Sequence, residues 1–170
     1  MLTLFKTRTP QTIPQPVSIK KRLAEVHRIL LVYPLDIPHA RVARYTLARL
    51  TVMPNPFEIF VAATDNIIKN VHLETGNILP IRVSPRNGDV IAESVSSWPV
   101  QSFDASICLA PDPGTDLMAL MRRIESPVTI GFSDGEGEHR FTVELVKRPT
   151  EFLENSYGSV LGLFGLKSVR

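Results

Sequence analysis

Asp36 and His39 stand three residues apart, just past the apolar run Ile29–Val32, within the stretch Arg28–Leu50 (RILLVYPLDIPHARVARYTLARL). A carboxylate in that place can serve as a general base, or it can cap the following helix by accepting a backbone N–H. An imidazole near a helix N-terminus can exchange protons or contact an anion, and it is equally at home as a solvated loop residue. Arg41 and Arg44 share one helical face. Together they can reach a phosphate near the strand ends, or they form a solvated surface pair. Pro38 sits beside them and suits the first turn of a helix, where a missing N–H costs little.

A second polar set follows the run Phe103–Leu109. Asp112, in the turn Pro111–Gly114, and Thr115 just after it are placed to bind ligand hydroxyls. A turn aspartate and a helix cap describe the same two residues. Ser133–Glu138 (SDGEGE) offers oxygen ligands, but its spacing fits no calcium loop. His27, His72 and His139 share no metal-ligand spacing, so no metal site and no cofactor are expected. The single cysteine, Cys108, lies in an apolar run and reads as a buried, inert thiol. Trp98 reads as packing under the Ser94–Val100 connection rather than stacking on a sugar. The chain carries no P-loop, no G-x-G-x-x-G after its first strand and no G-x-S-x-G.

These residues need a scaffold, and the hydrophobic pattern supplies one. Ile29–Val32 is continuous and apolar, as in a strand buried on both faces of a parallel sheet. A helix from His39 to Leu50 follows, with Ala43, Leu47 and Leu50 inward. Phe57–Ala62 and Ile78–Val83 read as the next strands, separated by a helix Asn66–Leu73 capped by Thr64 or Asp65. The loop Ser84–Gly88 leads to Asp89–Ser97, a short strand or irregular cover. Phe103–Leu109 is the fourth strand, and Thr115 caps a helix Asp116–Arg123 whose inner face is Leu117, Leu120, Met121 and Ile124. Pro127–Phe132 is a fifth strand, and Arg140–Leu145 is a further strand or an edge hairpin arm. Thr150–Leu166 closes as a helix burying Phe152, Leu153, Tyr157, Val160, Leu161 and Phe164. Strands alternating with helices in this way predict an α/β, Rossmann-like three-layer sandwich with a mostly parallel sheet; if the strand order is 3-2-1-4-5, Asp112 and Thr115 stand beside the first crevice wall. Ligands in such sheets sit beyond the carboxyl ends of the strands, so Pro34–His39 is the first place to look for function.

Upstream, Met1–Pro16 is rich in Pro, Thr and Gln and reads as a mobile arm. Val17–Arg28 reads as a short amphipathic helix with Ile19, Leu23 and Val26 on one face, able to pack, to bind a partner or to touch a membrane surface weakly. Residues 17–170 then form a single domain. No run reaches the roughly 18–20 apolar residues of a membrane span, and the first residues lack a signal-peptide core, so a cytoplasmic location is expected. The net charge of +2 hides an asymmetry: nine Lys/Arg face two acids in residues 1–50, against ten and fifteen afterwards. A basic first third fits an anionic lipid surface, a phosphorylated glycan or an acidic partner. Nucleic acid is disfavoured, because the basic residues have no interleaved aromatics and no reader motif.

With these elements in place, the chain resembles the N-terminal half of glycosyltransferase family 9, the lipopolysaccharide heptosyltransferases. Three stretches carry the resemblance: Arg28–Leu50, the segment FDASICLAPDPGTDLMALMRRIESPVTIGF from Phe103 to Phe132, and the leucine-rich end of Leu153–Leu166. The resemblance implies a two-domain GT-B architecture in which the second domain holds most of the nucleotide sugar. That second domain would begin where this chain stops, at Arg170. It also implies a Gly-Asp pair in the first loop, the aspartate acting as the acceptor's base. Aligned from Ile29, those positions are Pro38 and His39 here, and Asp36 would match only in a loop three residues shorter. The expectation is therefore a standalone, non-catalytic binding or assembly module for a glycan, a lipid-linked acceptor or a protein partner, cytoplasmic or in weak peripheral contact with the inner membrane. Two alternatives stand beside it: the acceptor half of a split transferase completed by a donor-binding chain, and a small α/β nucleotide-binding or regulatory domain.

Overall fold

A computed structural model of the protein describes residues 23–52, 57–73 and 77–166; side chains at 49, 51 and 52 are not described. Six strands form one sheet: β1 (Arg28–Val32), β2 (Glu58–Thr64), β3 (Ile78–Ile81), β4 (Ala105–Cys108), β5 (Val128–Ser133) and β6 (Val143–Val146). Their order is β3-β2-β1-β4-β5-β6 and every pairing is parallel. This is the order supposed in placing Asp112 and Thr115, with β6 added beyond β5. The helices are α1 (Ile37–Val52), α2 (Asp65–Val71), α3 (Thr115–Arg123) and α4 (Leu153–Leu163), with a 3-10 helix at Ala92–Ser97.

The continuous apolar run of β1 reflects two cores, one on each face of the sheet. Ile29 and Leu31 join a cluster with Ala43, Leu47 and Leu50 of α1, Ile67 and Val71 of α2, and Tyr157, Val160 and Leu161 of α4. Leu30 and Val32 point the other way, to Leu117, Leu120 and Met121 of α3 and to Val95 and Trp98 beside the 3-10 helix. A central strand therefore needs no polar alternation. Trp98 is buried, and its Nε1–H donates to the Pro80 carbonyl at 2.9 Å. It packs as the pattern predicts. At the amino edge of the sheet, His27 N–H and Arg28 N–H both donate to Asp104 Oδ2, at 2.9 and 2.8 Å. These two bonds hold the Asp104 carboxyl below its ordinary pKa. Asp104, the first aspartate of the Phe103–Phe132 segment, thus ties β4 to β1, far from the carboxyl ends.

Several boundaries differ from the pattern-based reading. Leu23 and Ala24 are helical and the helix has ended by Val26, while Arg28 already belongs to β1. The rest of Val17–Arg28, like the Met1–Pro16 arm, lies outside the described residues. Asp89–Ser97 resolves into a bridge from Val90 to Val83 and the 3-10 helix. Arg140–Leu145 is no hairpin arm: Val143–Val146 runs parallel to β5. Phe152, assigned to the buried side of the last helix, is 76% exposed. It precedes α4 as its N-cap residue in extended conformation, so helical periodicity does not govern where it points.

Thr115 does not cap α3. Gly114 is the N-cap residue and makes no side-chain cap bond, while Thr115 is the first helical residue. Asp116 has the role instead. Its Oδ1 accepts from Leu117 N–H and its Oδ2 from Val90 N–H, both at 2.8 Å. One carboxylate in the first turn therefore satisfies a helical donor and anchors the segment before the 3-10 helix.

Candidate functional site

The carboxyl ends of the six strands form one edge of the molecule, and two regions of it hold chemically capable side chains. The first lies where the sheet order reverses, between β1 and β4. There Asp36 precedes α1, and His39 sits in the helix's first turn. The Asp36 carboxylate accepts the His39 backbone N–H on Oδ1 at 2.9 Å and faces His39 Nδ1 across 2.8 Å on Oδ2. Both oxygens are engaged by one residue. The first bond is an N-cap, the alternative that sequence gave beside a base. Partial burial works to raise the Asp36 carboxyl, but the His39 hydrogen bonds outweigh it and hold the group below its ordinary value. A carboxylate stabilised in this way is a weaker proton acceptor.

Beneath this loop the interior is buried and largely apolar. Tyr157 is fully buried, packs edge-to-face on Phe132 at 5.6 Å and donates its hydroxyl to the Leu109 carbonyl at 2.7 Å. Burial pushes the phenols of Tyr33 and Tyr157 well above the usual tyrosine value. It pushes the Cys108 thiol up to about 12, so that thiol is inert, as expected from its apolar run. Pro38, Arg41 and Arg44 are exposed along α1. The structure gives no contact joining either arginine to Asp112 or Thr115.

The second region is a cleft of about 270 Å³ over the ends of β4, β5 and β6. Pro111, Asp112 and Phe132 line it together with residues of the Ser133–Arg140 loop, Glu144, Lys147 and Pro149. Asp112 is thus placed at a cavity, while Thr115 is exposed and does not line it.

The loop between β5 and β6 explains why the cleft stays open. Parallel neighbours are ordinarily joined by a crossover of a dozen residues or more, most often through a helix. Here 134–142 alone makes the return. Phe141 packs so tightly on Gly131 that a Cβ there would overlap its ring, which accounts for the glycine in Ile130-Gly131-Phe132. Thr142 N–H donates to Thr129 Oγ1 at 3.0 Å. Glu144 then fixes the loop's end, facing His139 Nδ1 at 3.0 Å and accepting Arg140 N–H at 2.7 Å. These bonds keep the Glu144 carboxyl below its ordinary value. The tip turns through Gly135 and Gly137, both left-handed at φ +85° and +87°. An anchored stem therefore holds Asp134, Glu136 and Glu138 at the rim.

Sequence reading singled out Ser133–Glu138 but missed Glu144, Arg140 and Lys147. Their alternation with apolar residues from Arg140 to Lys147 was the available signal. Among the described residues no group of three or more His, Cys, Asp or Glu is arranged to hold a metal ion, and no helix is long and apolar enough to cross a membrane.

No protein-family model matches the chain, and no curated protein matches it. Solved structures do. The E. coli heptosyltransferase WaaC with ADP superposes at TM-score 0.56 and 11% identity, over 84% of this chain and 49% of that one. A family 9 glycosyltransferase from Veillonella parvula gives 0.62 and 16%, over 83% and 42%. WaaC with ADP-2-deoxy-2-fluoro heptose gives 0.58 and 12%, over 84% and 50%. At these identities the likeness is one of fold, and the chain spans about half the length of each structure. In fold, this chain is similar to about half of a glycosyltransferase family 9 heptosyltransferase.

Proposed function

We propose that the chain is a non-catalytic binding module on a family 9-type scaffold, taking a glycan or lipid-linked acceptor at the carboxyl edge of its sheet. One observation carries this reading: both oxygens of Asp36, the carboxylate nearest the end of β1, are engaged by His39. A base must be free to receive a proton from the reacting hydroxyl. Asp36 is instead part of the helix cap, and its lowered pKa weakens it further. The cleft over β4–β6, in contrast, is open and lined with polar groups.

The test is a transfer and hydrolysis assay with an ADP-activated sugar, run beside a binding titration with free sugars. No turnover, with saccharide binding that Asp36→Asn leaves unchanged, supports the module. Turnover that Asp36→Asn abolishes overturns it.

A second reading has a specific observation in its favour. The solved structures of similar fold are about twice as long as the matched region. On this reading the chain forms the acceptor side of a transferase, with the donor-binding part supplied by another polypeptide. Co-purification of such a partner, and transfer only by the pair, would replace the first reading with the second.

A further inference from the structure

Six asparagines occur in the chain, and only Asn87 is followed by glycine. An asparagine can convert itself to an acid when the next residue's backbone nitrogen reaches its side-chain carbonyl carbon. A side chain on that next residue hinders the approach, and glycine leaves it open. The other five are poorly placed. Asn55 precedes Pro56, which has no N–H to lose. Asn66 and Asn70 belong to α2, where the backbone is helical and Asn70 Nδ2 donates to Asn66 Oδ1. Asn77 precedes the β-branched Ile78, and Asn155 lies within α4.

Asn87 stands between β3 and the 3-10 helix, at the tip of a small antiparallel loop. Val83 bridges Val90, Ser84 N–H donates to the Asp89 carbonyl at 2.8 Å, and Ile91 N–H donates to the Arg82 carbonyl at 2.9 Å. Pro85 to Asp89 are all exposed. Gly88 is left-handed at φ +76°, and a Cβ there would meet nothing within 4 Å. Asn87 is held from one side only. Its Oδ1 accepts Asp89 N–H at 3.3 Å, and its Nδ2 donates to the Asp89 carboxylate. The first bond faces the oxygen on which charge collects when Asn87 Cγ is attacked.

We propose that Asn87 is a self-modification site: it deamidates through Gly88, and the product opens the Ser84–Asp89 loop. The Gly88 nitrogen gives its proton to solvent base and bonds to Asn87 Cγ. The Cγ–Nδ2 bond breaks, and the nitrogen takes up a proton and leaves as ammonia. Water then opens the five-membered imide at either carbonyl, giving aspartate or isoaspartate at position 87. The imide has no N–H at 88, so the Gly88 bond to the Ser84 carbonyl at 2.9 Å is lost on the way. The product carboxylate has no proton to donate to Asp89 and sets a like charge against it. Isoaspartate also lengthens the backbone by one carbon within the turn.

The test incubates the full chain at mildly alkaline pH and maps its peptides by mass spectrometry. Acid at position 87 is expected to accumulate about tenfold faster than at any other asparagine, through a species lighter by one ammonia. Gly88→Ala, whose methyl enters open space, is expected to slow that conversion about tenfold. Asn87→Asp supplies one product directly, without waiting for the reaction. In it, hydrogen exchange at the Ser84 and Gly88 amides is expected to quicken about tenfold, while Val90 N–H, held by Asp116 Oδ2 at 2.8 Å, stays protected. Conversion of another asparagine first, or no acid at position 87, overturns the site. An unchanged rate in Gly88→Ala overturns the route through Gly88. Unchanged exchange in Asn87→Asp overturns the opening of the loop.

Discussion

Two ends of the same sheet edge meet the solvent differently. At β1 the loop Tyr33–Asp36 runs straight into α1, and its one carboxylate is bound into the helix cap by His39. At β4–β6 the chain returns through an unhelical loop, and its carboxylates stand around an open cleft. The comparison teaches that a polar residue at a strand's carboxyl end is not thereby available. What matters is whether local backbone donors already use it. Asp36 has such a donor three residues away, whereas Glu136 and Glu138 extend from a glycine turn in which Ser133 and Asp134 already take the Gly135 and Glu136 N–H groups.

The comparison is broken most forcefully at Gly131. Gly131→Ala drives a methyl into the Phe141 ring, and overpacking of this kind costs ~1–3 kcal/mol. Denaturant unfolding should register that loss, with the cleft amides shifting as the stem yields. An unchanged midpoint would mean that the stem does not hold the rim. Next in size is the cap. Asp36→Ala should cost ~0.5–2 kcal/mol, whereas Asp36→Asn, an equally good cap, should cost far less. Equal losses would show that charge rather than capping matters at β1.

Acid sensitivity gives a smaller effect. Asp36 and Glu144 both titrate below their ordinary values in the folded chain. Each therefore favours the folded state above about pH 4, and that contribution fades as pH falls through the lowered folded value. Asp36→Asn and Glu144→Gln should each flatten the decline in Tm below about pH 4. A decline as steep as in the parent would remove both groups from the acid limb. The smallest effect is expected at Thr115, which makes no cap bond. Thr115→Ala should change stability by no more than ~0.5 kcal/mol. A cost near 1 kcal/mol, typical of a lost cap, would return Thr115 to the role its position suggested.

Much of the scaffold is legible from local pattern. Ile29–Val32 announces a strand with two covered faces, and Leu117, Leu120, Met121 and Ile124 mark the inner side of α3; all of these are buried. Alternation of strands and helices pointed to a parallel sheet, whereas the strand order was only supposed. The site was less legible, because its determinants are tertiary. Nothing near Gly131 reveals that Phe141 will lie across it; Glu144 meets His139 and Arg140 only five and four residues back, but through a loop turn that no periodic pattern marks. Thr115 was misread because Asp116 competes for the same helix end and gains a distant donor, Val90 N–H. Asp36 was readable as a cap because its partners lie within one turn.

The short return between β5 and β6 also bears on how the sheet assembles. Ile130 pairs with Val143, thirteen residues along the chain, whereas Ile29 pairs with Ala105, seventy-six residues away. Closing the shorter loop sacrifices less chain entropy, and β6 has only one neighbour to leave. As an edge strand, β6 is expected to open before the β1–β4 centre, with amide hydrogens exchanging sooner than those of the central strands.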